Sequence, residues 1–147
     1  MKSPRPGSLE PTAMIQCKSA YAEATQGDGS RVLVDRLWPR NCPKDSLQLT
    51  AWLPDVAPST ELRKAFNSKK ISFAQLTIAY RRELAANPQS WWQLLLLAER
   101  GTLTLVFAAR DLQANNAVVL AQWLEEELDR FAPSSSPVCY LSDFPDD

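Results

Sequence analysis

Twice in this chain a hydrophobic stretch runs directly into a pair of opposite charges. In "RVLVDRLWPRN", residues 31–41, Val34 leads into Asp35 and Arg36; in "TLTLVFAARD", residues 102–111, Ala109 leads into Arg110 and Asp111. A carboxylate can give or take a proton, and a guanidinium stays charged while its planar fork grips two oxygens of one anion. Asp35 and Asp111 are therefore the candidate acid/base groups. Arg36, Arg40, Lys44 and Arg110 are the candidate anion partners, Asn115 and Asn116 the candidate hydrogen-bonding groups, and Trp38 an aromatic wall. The ligand that suits this set is a small anion, a phosphate or a carboxylate.

The same residues also permit a plain structural reading. Asp35, Arg36, Arg110 and Asp111 can form an ion cluster that satisfies its own charges, and Asp111 is placed to cap a helix starting near Leu112. Trp38-Pro39 reads as a hydrophobic plug and a rigid turn ahead of a base-stacking platform. Cys42 has only Arg40 and Lys44 nearby to favour a thiolate, so a cysteine nucleophile is a weak reading.

The elements that must position these residues follow from hydrophobic pattern and punctuation. Strands are expected at 14–18, 31–35 and 102–109; the last two are near-continuous aliphatic runs of the kind buried on both faces. Between them lies helical sequence long enough to cross over, so these two strands are expected to be neighbours, parallel and buried, with both ends at one edge. In open α/β sheets that edge holds the ligand. "KDSLQLTAWL" offers one short helix. Ser59 reads as an N-cap, Ser72 with Gln75 as a capping box, and Ser90 with Gln93 as a second box, with Gly101 closing that helix. Trp91 and Trp92 read as core or staple aromatics ahead of a ligand platform. A final helix carries Ala117, Leu120, Ala121, Leu124, Leu128 and Phe131 on one stripe. "VCYLSDF", residues 138–144, reads as an edge strand or an extended surface segment.

The expected fold is a single compact α/β domain, a small mostly parallel sheet covered by helices. It spans residues 13–142, with a flexible tail at 1–12 and a short one at 143–147. The chain has 147 residues, 45% of them hydrophobic and 22% charged, which is ordinary globular composition. Net charge is −1, yet residues 1–82 hold 13 Lys/Arg against 7 Asp/Glu and residues 83–147 hold 3 against 10. The simplest account is that the two halves pair in the fold. There is no histidine, which excludes imidazole catalysis and a Ser-His-Asp triad. Three separated cysteines without a CxxC pair fit a reducing, cytoplasmic setting. No apolar run is long enough to span a membrane. No cofactor motif and no metal-ligand spacing is present.

At "DGSRVLVDRLWPRN" the sequence resembles the YeaO-like bacterial proteins, a domain-of-unknown-function family. The resemblance continues through "AWLPDVAPSTELRKAF", "YRREL" and "TLVFAARDLQANNAVVLAQWL", in order, over about residues 15–128. It implies a compact α/β domain of the doubly wound kind and supplies no reaction. It marks Asp35, Arg36, Trp38, Pro39, Arg40, Ala57, Pro58, Ser59, Leu62 and Arg63, together with Tyr80 and Glu83, as family-type positions. The chain departs from the pattern at Asn41, where the family usually has glycine. It also lacks the histidines that the family usually carries beside the Asn115-Asn116 position and near Ser68.

Three functions stay open at this level. The first is a small-molecule enzyme or ligand-binding protein with an anion-tolerant crevice at the strand ends. The second is a non-catalytic structural or partner-binding domain. The third, nucleic-acid binding through Arg63, Lys64, Lys69, Lys70, Arg81 and Arg82, is disfavoured by a pI near 5.5.

Overall fold

The computed structural model describes residues 14–131. The segment expected to be an edge strand at 138–144, both tails and the side chain of Phe131 lie outside the described residues. Four strands form one parallel sheet: β1 (Ile15–Ser19), β2 (Ser30–Leu33), β3 (Ala51–Trp52) and β4 (Leu103–Phe107). Their spatial order is β1-β4-β2-β3, so β4, the last in sequence among the described residues, inserts at the centre. Among the described residues five α-helices accompany them: α1 (Lys44–Leu47), α2 (Thr60–Asn67), α3 (Phe73–Ala86), α4 (Trp92–Arg100) and α5 (Asn116–Phe131). None of the described helices is long and apolar enough to cross a membrane.

The two aliphatic runs are parallel neighbours, with Val32 beside Leu105 and Leu33 beside Val106. All of Val32–Val34 and Leu103–Phe107 is buried. Alternation splits these side chains between two faces. Val32, Val34, Leu103, Leu105 and Phe107 meet Tyr80 and Leu84 of α3, Leu94 and Ala98 of α4, and Leu120 and Leu124 of α5. Leu33 and Val106 turn the other way, onto Leu47 of α1 with Trp38, Cys42 and Leu49. The large helices thus gather on one face. A loop and one short helix cover the other, a lopsided version of the doubly wound arrangement that the resemblance implies.

Local chemistry sets most boundaries. Ser59 caps α2 by accepting from the Leu62 amide, and Ser72 with Gln75 closes a reciprocal capping box on α3. Asn87-Pro88 ends α3. Trp91 is core: it is buried, donates to the Leu84 carbonyl and meets Trp123 edge-on at 5.7 Å. Trp92, expected with it as a core or staple aromatic, is exposed, its ring 6.1 Å from that of Trp91.

Other expectations are corrected. "KDSLQLTAWL" holds the one-turn α1 and then β3, a two-residue strand pairing with β2. Ser90 does not open α4. Pro88 starts a 3-10 turn through Ser90, whose hydroxyl donates back to the Asn87 carbonyl, and Trp91 takes the N-cap position. Gly101 is extended, with φ of 161°, not the left-handed C′ residue expected. The glycine that the fold requires is Gly29, at φ 62°: a Cβ there would lie 2.3 Å from the Thr102 carbonyl oxygen.

Sequence reading also missed a buried ionic network at the N-terminal edge of the sheet. Asp28 accepts from Arg31 at 2.7 Å, from Lys18 at 3.0 Å, and from the Thr25 amide and hydroxyl. Burial alone would raise its pKa. The hydrogen bonds from Thr25, Lys18 and Arg31 outweigh burial and hold the carboxyl well below the usual range. Arg31 also donates to the Leu47 carbonyl at 2.7 Å, which ties α1 to the sheet.

Candidate ligand-binding site

At the opposite edge, β2 and β4 part from the sheet together, and the repeated strand-to-ion transition resolves into two different structures. Beyond Leu33, the Val34 amide still donates to Val106, and then the backbone turns away. The Asp35 side chain takes over the pairing: its Oδ2 accepts from the Ala108 amide at 2.9 Å. Its Oδ1 accepts from Asn116 Nδ2 at 3.2 Å, and the same nitrogen donates to the Val34 carbonyl. One carboxylate therefore joins the end of β2, the end of β4 and the first residue of α5. Burial is the main influence on its proton affinity and pushes its pKa up. The Ala108 and Asn116 hydrogen bonds and the nearby Arg63 charge counter only part of that rise.

A cavity of about 400 Å³ opens beside this junction. Asp35, Arg36, Trp38, Arg40, Asn115 and Asn116, six of the candidate residues, line it. Arg36 is held by the chain before α2: it donates to the Ala57 carbonyl and, through two nitrogens, to the Pro58 carbonyl, all at 3.3 Å. Trp38 serves as both plug and wall. Its indole donates to the Cys42 carbonyl at 2.8 Å, and its ring meets Trp52 edge-on at 5.4 Å. Arg40 is exposed at the cavity margin, and its carbonyl accepts from the Tyr21 hydroxyl at 3.0 Å. Asn115 is buried and caps α5, accepting from the Val118 amide at 3.0 Å.

The second transition does not reach the cavity. Ala108 and Ala109 line it, but Arg110 and Asp111 are exposed and lie outside its wall, as does Lys44 at the start of α1. Asp111 does not cap the last helix, which begins at Asn116 and not near Leu112. Its Oδ1 accepts from the Gln113 and Ala114 amides, a turn within the loop that holds its pKa below the usual range. The expected self-satisfied ion cluster is not formed either. Among the described residues, no ion pair joins Asp35, Arg36, Arg110 and Asp111; Asp35 and Arg36 are satisfied by backbone groups and Asn116.

In place of Arg110, α2 supplies Arg63. It lines the cavity with Phe66, and its Nε is buried with no hydrogen-bond partner among the described residues. Periodicity alone gave no sign of this role, because Arg63 reads as one of several surface cations on a polar helix. The block Ala57-Pro58-Ser59-x-x-Leu62-Arg63 was the available signal. It supplies the two carbonyls that hold Arg36, the cap that starts α2, and Arg63 one turn later.

Comparison with known proteins places this geometry. Residues 14–141 match the family model described as the inactive DUF488-N3 subclade. The chain belongs to that subclade. It is also 46% identical over 110 residues to the uncharacterized protein YeaO of Escherichia coli (strain K12), covering 75% of this chain and 96% of that protein. It is 36% identical over 110 residues to the uncharacterized protein Rv3073c of Mycobacterium tuberculosis (strain ATCC 25618 / H37Rv), covering 75% and 92%. No solved structure matches. The YeaO-like resemblance read from the sequence is thereby established, and Asp35, Arg36, Trp38, Pro39, Arg40, Ala57, Pro58 and Arg63 all line the cavity of this DUF488-N3 domain.

Proposed function

We propose that this cavity binds a small anionic group, a carboxylate or a phosphate, and that the protein acts as a ligand-binding domain without turnover. Arg63 carries the reading. It lines the cavity and joins no ion pair among the described residues, so its charge is left unpaired there and an anion in the cavity supplies the missing partner. Arg36 and Arg40 add positive charge to the same cavity against one carboxylate, Asp35. The volume of about 400 Å³ falls within the range of small-molecule sites. The subclade's description as inactive, and a chain without histidine, favour binding over catalysis. We further infer a cytoplasmic location, on three widely separated cysteines with no close pair in the sequence.

The test is thermal protection. Phosphate or a small carboxylate should raise the melting temperature above the effect of chloride at equal ionic strength. Mass action sets the size at about 2.7 kcal/mol for a hundredfold excess over Kd. Arg63→Gln should lose the protection, and Arg110→Ala, outside the cavity wall, should keep it. Equal protection of wild type and Arg63→Gln would reject the assignment.

A further inference from the structure

A plain anion site leaves one charge in the cavity without a purpose. Asp35 would repel an incoming anion. The Ala108 amide and Asn116 Nδ2 that donate to it are neutral groups, so its hydrogen bonds leave the charge itself without a counter-ion. Asp35 has no ion-pair partner among the described residues, although Arg63 is near enough for its charge to act on it. The two charges therefore face one cavity without closing on each other. A ligand that brings both signs on adjacent atoms fills such a gap: an ammonium to the carboxylate and a carboxylate to the guanidinium. The rest of the wall is largely apolar, with Trp38, Pro58, Phe66 and Leu76 contributing.

Resting on the anion reading above, we propose that the ligand is a zwitterionic α-amino acid with an apolar side chain. Its carboxylate meets Arg63, its ammonium meets Asp35, and its side chain packs against Trp38, Phe66 and Leu76. A cavity of about 400 Å³ has room for the largest apolar amino acids.

The experiment is calorimetric titration of the full chain with three ligands that differ by one charged group: L-phenylalanine, 3-phenylpropanoate and 2-phenylethylamine. L-leucine with 4-methylpentanoate repeats the comparison for an aliphatic side chain. Each amino acid should bind about tenfold or more tightly than its desamino partner, the value of one charge-assisted hydrogen bond. Asp35→Asn should erase that difference while keeping carboxylate binding. If that variant does not fold, the wild-type comparison decides alone. Desamino acids that bind as tightly as the amino acids would overturn the inference and leave the anion reading standing. So would phosphate binding with no response to any amino acid. Binding of the amine alone, with no carboxylate or phosphate bound, would overturn both.

Discussion

Replacing Asp28 by asparagine should be among the most damaging single changes in this protein. Asparagine keeps the shape and one acceptor oxygen, so the substitution removes the charge and turns the other accepting oxygen into an NH2 donor that faces groups now donating to it. Asp28 is 2% exposed and Arg31 3%, and the two meet at 2.7 Å. Without its counter-charge, the Arg31 guanidinium stays buried with the Leu47 carbonyl and with one terminal nitrogen already lacking a partner among the described residues. Breaking a buried pair on one side costs about 3–5 kcal/mol. For a domain of this size that is a fall in Tm of roughly 10–20 °C. The depressed pKa of Asp28 gives the loss a pH signature. Its stabilisation is complete above the unfolded pKa of about 4 and fades as pH falls toward the lower folded value. Urea unfolding of wild type and Asp28→Asn at pH 7 and at pH 3 measures both effects, and the gap should narrow at pH 3. Removing both charges, in Asp28→Asn/Arg31→Met, should recover much of the loss. A single-variant cost below about 1 kcal/mol, or a double variant no better than the single, would refute the reasoning.

Asp35 should show the opposite pH dependence. Its folded pKa is raised, so its contribution is most favourable below about pH 4 and is lost as pH rises through the folded value; Asp35→Asn should therefore gain on wild type between pH 4 and pH 7 in urea melts, and a constant difference would contradict this. Phe107→Ala, which empties part of the sheet–helix core, should cost about 3–5 kcal/mol, and a loss below about 1 kcal/mol would mean that the site is not enclosed. Asn115→Ala should cost about 0.5–2 kcal/mol through the lost cap on α5, whereas Asp111→Ala should leave that helix's amide-exchange protection unchanged.

What could be read from the sequence was what local pattern determines. The runs at Val32–Val34 and Leu103–Phe107 are aliphatic because helices or loops cover both faces of the central strands, and their parallel pairing followed from the crossover between them. Ser59 and the Ser72–Gln75 box could be read because a cap involves only residues three apart. The same S-x-x-Q spacing misled at Ser90, where Pro88 imposes a tighter turn first. β3 was illegible because two residues carry no period; only their pairing with Val32 and Leu33 makes them a strand. The candidate site was half legible. Asp35 and Arg36 follow directly from the end of β2, but the loop after β4 turns Arg110 and Asp111 to solvent, and no short pattern encodes where such a loop exits. Arg63 was hidden for the converse reason. Its place depends on α2 docking over the strand ends, a tertiary event recorded only in the Ala57–Arg63 block.

The central claim is that Arg63 makes the cavity an anion site. The most direct test is titration calorimetry of phosphate and of a small carboxylate at constant ionic strength, into wild type, Arg63→Gln and Arg110→Ala. A saturable one-to-one heat in wild type and Arg110→Ala, about tenfold or more weaker in Arg63→Gln, is the predicted result. Equal binding by wild type and Arg63→Gln, or saturable binding lost only in Arg110→Ala, would contradict it.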